Sequence, residues 1–453
     1  MASNLPRTSC AEAKIDPAAI LKMIDALEVS DIDMHSLMVV RNGAVAAEGW
    51  WKPYSAEAPH LLYSLTKSFC STAAGFAVAE GLFSLDDPVF DYFGDLAPES
   101  TSENLKKLRV RHLLSMSVGH ETEPSIDARS SDRKTAVTKF LAHPVPFEPG
   151  THFHYNTAAT NMVSILIQKQ SGTTLDRFLE SRLLRPLGIE GEYWTSGADW
   201  VWGGSGLHAQ TEAIAKLGKL YLNLGKWEGE QLLPLGWAET ATSLQVPNGT
   251  DPDNDWNQGY GFQFWRSRHG YRGDGAFGQF CLVLPEYDAV VAMTSGESNM
   301  QRMMNAVWDY LLPGFDTVGS DSEKLGLRLD NLAVEPKAKP HTGINFKAVS
   351  KPDGFELEVS GSKVRLDFGF KLEFELGRWT KFGFNYGRNE IFPSAAFAYW
   401  KGPEELVIRI VNLRTPQSRS IGVSVTAERA DVKVSEKGVF DPIEAKEFAA
   451  NLS

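Results

Sequence analysis

At 453 residues, of which 43% are hydrophobic and 23% charged, the chain has material for two or three domains with a sizeable core, which excludes general disorder. Asp and Glu number 57 against 45 Lys and Arg, a formal charge of −12; this disfavours a nucleic-acid or anionic-membrane surface and points to a small-molecule partner. Cys10, Cys70 and Cys281 lie far apart without C-x-x-C spacing, so no disulfide framework is expected. No basic, then apolar, leader opens the sequence and no apolar run approaches the ~20 residues of a membrane helix, so the expected compartment is the cytoplasm.

In chain order, Leu37–Val40 and Ala44–Ala47 flank Arg41-Asn42-Gly43, and Asn-Gly between two apolar runs predicts an antiparallel hairpin. Ser64 to Leu82 is small or apolar on most sides and reads as a buried helix. Helical patterns follow around Val110–Met116, Ala158–Gln170 and Glu212–Leu224, separated by Gly/Pro turns such as Glu148-Pro149-Gly150. Strand character returns at Gly278–Leu284 and Ala289–Thr294, and a helix is predicted from Met300 to Leu312. The order predicts an α+β fold: one antiparallel sheet assembled from both ends of a domain, flanked by helices, with a helical region inserted between. The turn-rich, polar stretch after Pro313 marks a boundary, giving a first domain over 1–315 and a linker over 316–330. From 331 to 453 short runs alternate repeatedly, as in Phe355–Val359, Lys371–Leu376 and Glu405–Val411, and predict an antiparallel β-sandwich or barrel.

Chemistry concentrates at Ser64-Leu65-Thr66-Lys67, a hydroxyl and an amine on one face of the opening turn of the buried helix. A serine is a poor nucleophile alone, but a neutral lysine one turn away can take its proton. Lowering that amine from ~10.4 to ~7–8 needs roughly 4 kcal/mol, which burial can supply and a helix dipole of ~0.3–1 kcal/mol cannot. The spacing by itself is weak, for Ser131–Lys134 and Ser360–Lys363 repeat it in a charged stretch and a turn, and an N-capping serine beside a snorkelling lysine would also produce it. His152 and His154 could share a strand face, but no third metal ligand is near, and no G-x-S-x-G elbow or phosphate-binding loop occurs.

Ser64–Lys67, followed by Ala79-Glu80-Gly81-Leu82-Phe83-Ser84-Leu85-Asp86-Asp87-Pro88-Val89 and by Val110-Arg111-His112-Leu113-Leu114-Ser115-Met116-Ser117-Val118-Gly119-His120, resembles the serine β-lactamase and penicillin-binding-protein superfamily over roughly residues 20–312. The likeness is to its class C-related branch of family VIII carboxylesterases, D-aminopeptidases and 6-aminohexanoate-dimer hydrolases. It implies a β-lactamase-like first domain and matches the Y-x-N motif at Tyr155-Asn156-Thr157, where Tyr155 aligns as the second general base and Thr157 stands in the asparagine's place. It also matches the K-T-G or H-x-G strand at Gly273-Asp274-Gly275, which implies an oxyanion hole from the amides of Ser64 and Ala276. A glycine at 275 would let the strand approach a bound substrate. Gly273 replaces the family's Lys or His, so the usual cation for a substrate carboxylate is missing unless Arg272 swings in.

The resemblance thus implies a serine hydrolase with Ser64, Lys67 and Tyr155 catalytic, no cofactor, and Thr157, Asn156, Gly275, Arg272 and Phe277 as substrate contacts. The missing cation favours a small ester or amide as substrate. The rivals are a β-lactamase or D-peptidase and a catalytically inactive ligand-binding protein. The C-terminal module could cap the cleft, form an interface in a homo-oligomer or hold an extra ligand.

Overall fold

The computed structural model describes residues 4–334, 343–385, 391–440 and 445–452. After helix α1 (Pro17–Val29), strands β1 (Met34–Arg41) and β2 (Ala44–Trp50) form the predicted hairpin. Asn42 and Gly43 at its tip have φ of 51° and 80°, the left-handed pair that a two-residue turn between twisted strands requires. Helix α2 (Thr66–Ala79) follows the predicted serine; α3 (Thr157–Ser171) and α4 (Thr211–Leu222) come from the inserted helical region. Strands β3 (Trp265–Arg266), β4 (Tyr271–Gly275), β5 (Gln279–Leu284) and β6 (Ala289–Ser295) then complete an antiparallel sheet of order β2-β1-β6-β5-β4-β3.

Both faces of this sheet are covered, and β1, β5 and β6 are buried along their whole lengths. Leu37, Val39, Val291 and Met293 pack with α1 and α5 (Met300–Ala306) in one core; Met38, Val40 and Ala292 join α2, α3 and α4 in the other. The residues expected to be a linker are partly helical instead. Helix α6 (Ser322–Asp330) buries Leu325 in the same core as α1, and Arg328 meets Glu28 at 2.5 Å. Leu332 is buried there too, so the first body continues through residue 334.

Ten further strands form one antiparallel sheet. The four of Phe346–Glu375 join, through Phe346–Ser350, the last strand Lys446–Leu452 of the remaining six. Strands such as Phe355–Ser360 alternate buried and exposed residues, with Phe355, Leu357 and Val359 turned into a shared core. Leu376 bridges to Ala398 and nearly closes the sheet, so of the two predicted forms it takes that of a barrel. No described helix is long and apolar enough to cross a membrane.

Candidate active site

Leu61 and Leu62 lead out of a short strand into a single tight turn, Tyr63–Leu65, from which α2 continues. Tyr63 has φ of 46°, a conformation costing a non-glycine residue about 1–2 kcal/mol, and it sits directly before Ser64. One turn on, Lys67 is 1% exposed. Its Nζ donates to Ser64 Oγ at 3.0 Å, to the Gly204 carbonyl at 2.7 Å and to Thr157 Oγ1 at 3.4 Å. Burial lowers its pKa from 10.5 to about 8 against the pull of Glu123 and Asp274. That shift is worth about 3 kcal/mol, well beyond what a helix terminus contributes.

The surrounding polar groups of α2 are satisfied by a loop that reaches over it: Ser68 and Ser71 donate to the carbonyls of Gln263 and Phe262. The Tyr155 ring lies 5.0 Å from Lys67 Nζ and stacks on Trp265 at 5.3 Å. Burial, and next Asp274, push its phenol upward, while its hydrogen bond with Ser64 acts in the opposite sense, so the hydroxyl stays protonated. Thr157 opens α3 and turns its hydroxyl to Lys67. Asn156 does not face the cleft as expected. It is fully buried, its side chain accepting from Ala159 N–H at 3.1 Å as the helix cap and lying 2.9 Å from His120 Nδ1.

Strand β4 runs beside the serine turn. A Cβ on Gly273 would press on the side chains of Leu65 and Ser68, which would have to shift; one on Gly275 would collide with the Leu62 carbonyl. Gly275 therefore serves the approach of the strand to the serine turn, where a bound substrate was the expected reason. Arg272 is not free to swing in. It is wholly buried, pairs through Nε with Asp274 at 2.9 Å, and spends Nη1 on Ser267 and the carbonyls of Asp255 and Arg266. Burial raises the Asp274 carboxyl, and Arg272 opposes this. Phe277, also expected to touch substrate, is buried with its ring against Tyr63.

Ser64, Tyr155, Thr157 and Ala276 line a cleft of about 880 Å³. A family model described as Beta-lactamase matches residues 29–311, more than half of the chain and the whole span of this arrangement. The chain belongs to the beta-lactamase family. The 6-aminohexanoate-dimer hydrolase of Paenarthrobacter ureafaciens is 23% identical over 282 residues, 57% of this chain and 72% of that protein. Among solved structures, EstCE1, a hydrolase with promiscuous acyltransferase activity, is similar over 64% of this chain and 98% of its own (TM-score 0.54, 16% identity). The octameric penicillin-binding protein homologue of Pyrococcus abyssi is similar over 91% and 97% (TM-score 0.53, 15% identity), a span that includes the C-terminal sheet.

In this member of the beta-lactamase family the cleft has an acidic wall. Glu123, Asp251, Asp253 and Asp274 line it, and among the described residues no Lys, Arg or His lines it. Asp274 was within reach of sequence reasoning, because period two along β4 sets it on the opposite face from the two glycines. Gly204 acts through its carbonyl on Lys67 from the Gly203–Leu207 loop, which resembles a family segment near the site, whereas Phe440, arriving from the C-terminal sheet, carries no local signal. Among the described residues no cluster of three or more His, Cys, Asp or Glu could hold a metal ion.

Proposed function

We propose that this protein is a serine hydrolase that cleaves a small ester or amide through an acyl-enzyme on Ser64. The observation that carries the reading is the sealed Lys67 amine, its pKa lowered to about 8, at 3.0 Å from the Ser64 hydroxyl. Ser64 Oγ attacks the carbonyl carbon while neutral Lys67 takes its proton, and the amides of Ser64 and Ala276 hold the oxyanion. Collapse expels the alcohol or amine, which takes a proton from Tyr155; Tyr155 regains one from the Lys67 ammonium. A phenol held protonated by burial suits this relay better than a resting phenolate. Water then attacks the acyl carbon, giving its proton to Lys67, and the acid departs as Ser64 is reprotonated.

The acidic wall supports a substrate without a carboxylate beside the scissile bond. Among the described residues Glu123, Asp251 and Asp253, unlike Asp274, have no ion pair with a cation in the cleft, and with Arg272 committed to Asp274 the wall disfavours the anionic group of a penicillin or a D-peptide terminus. Ser64, Lys67 and Tyr155 belong to the body ending at residue 334, and the barrel from residue 343 is a second unit that contributes Phe440 to the cleft. In a test with p-nitrophenyl acetate, Ser64→Ala loses at least about a thousandfold in kcat/KM, and the wild type turns over nitrocefin and D-alanyl-D-alanine far more slowly than the ester. Wild-type ester turnover by Ser64→Ala contradicts the proposal.

A further inference from the structure

We propose that the C-terminal sheet completes this active site, Phe440 being a positioning residue that fixes the backbone on both sides of the oxyanion hole. This rests on the acyl-enzyme reading above. Tyr63 shares a peptide plane with the Ser64 amide, and Phe277 turns the chain back just after Ala276. Both hold positive φ, 46° and 64°, which L side chains keep only where their surroundings impose it. One ring touches both side chains. The Phe440 ring stands edge-on to Tyr63 at 5.5 Å and 5.0 Å from Phe277, and Tyr63 and Phe277 meet each other at 5.4 Å.

Phe440 leaves the end of strand Arg429–Lys437. It remains 70% exposed and lines the same cleft as Ser64, so its ring is neither core of the barrel nor core of the first body. A backbone hydrogen bond ties the C-terminal sheet to the strand before the serine turn, Leu61 N–H donating to the Arg414 carbonyl at 2.7 Å, and Lys437 reaches Asp31, ahead of β1, at 3.3 Å on the surface. Three aromatic rings, two from residues adjoining the oxyanion amides and one from the other end of the chain, thus form one contact. Ser295 Oγ and Glu297 N–H hold the Phe277 carbonyl at 2.6 and 3.2 Å, and without the third ring the Tyr63–Phe277 contact loses its outer support, so the amides converge less closely on one oxygen.

The test uses the full chain with p-nitrophenyl acetate, and a fluorophosphonate probe whose tetrahedral adduct needs the same amides. Phe440→Ala lowers kcat and kcat/KM together by about tenfold, slows phosphonylation in the same proportion and shifts Tm by less than about 3 °C, since the ring is exposed. Phe440→Tyr restores both rates to within about twofold. A raised KM with unchanged kcat would make Phe440 only a wall for substrate and overturn the proposal, as would unchanged rates or a kcat loss that Phe440→Tyr fails to rescue. A wild type that neither hydrolyses the ester nor takes the probe overturns the acyl-enzyme reading itself; a labelled wild type matched by Phe440→Ala overturns only the role of Phe440.

Discussion

Lys67 is held where an ammonium is poorly solvated, and the fold bears the consequence. Its pKa falls from 10.5 to about 8 because of burial, so between those values the unfolded chain binds the extra proton and stability rises with pH. Below pH 8 the folded state carries the whole penalty, about 3 kcal/mol. Replacing the amine by an isosteric apolar group removes that penalty but leaves the Gly204 carbonyl without its 2.7 Å donor, a loss of about 1 kcal/mol or somewhat more. Lys67→Met is therefore expected to lose ester turnover while gaining about 1–2 kcal/mol of stability at pH 7, the gain vanishing near pH 10.5. Urea denaturation at the two pH values measures this. A Lys67→Met protein less stable than wild type at pH 7 would show that the buried amine is not a strained one.

Among the elements, β4 and the serine turn depend on each other through Gly275, whose missing side chain admits the Leu62 carbonyl. Gly275→Ala is expected to destabilise by about 1–3 kcal/mol and to lower kcat, because the strand moves away from Ser64. Stability within about 0.5 kcal/mol of wild type by chemical denaturation would contradict that packing argument. The elements legible in the sequence were those fixed by near neighbours. Asn42-Gly43 set the hairpin, the uncharged run after Ser64 set the buried helix, and period two set the C-terminal strands. Helix α6 was hidden because its polar surroundings resemble a linker, although Leu325, Leu329 and Leu332 follow helical spacing. Ser64 and Lys67 were legible as a pair, since one turn of helix places them together. Asn156 illustrates two signals in competition: its family position suggested a substrate contact, but an asparagine just before a helix is a cap. The commitment of Arg272 was not readable, because its partners Asp255, Arg266 and Ser267 converge on it only in three dimensions.

At the scale of the whole molecule, the two bodies are joined through polar groups that neither can abandon. Asp33 is buried between them; burial pushes its carboxyl up, but His35 and Arg409 outweigh this and hold it well below the ordinary carboxylate range. Arg409, from the C-terminal sheet, meets it at 3.3 Å and also donates to the Val334 carbonyl. Beside this pair His35 Nδ1 lies 3.0 Å from His60 Nε2, and His60 immediately precedes the strand end that Arg414 holds. Removing the Arg409 guanidinium with the bodies still docked would strand a buried carboxylate, typically a loss of about 3–5 kcal/mol, so this pair ties the C-terminal sheet to the body that carries Ser64. The account as a whole depends on Ser64 being activated by an uncharged Lys67, and that is tested most directly by phosphonylation of the intact chain as a function of pH. Mass spectrometry should find a single fluorophosphonate adduct, mapped to Ser64, whose rate of formation rises with pH to a plateau with a midpoint near 8. An adduct elsewhere, none at all, or a rate at Ser64 that does not change between pH 6 and 10 (a span of about two units either side of that midpoint) would contradict it.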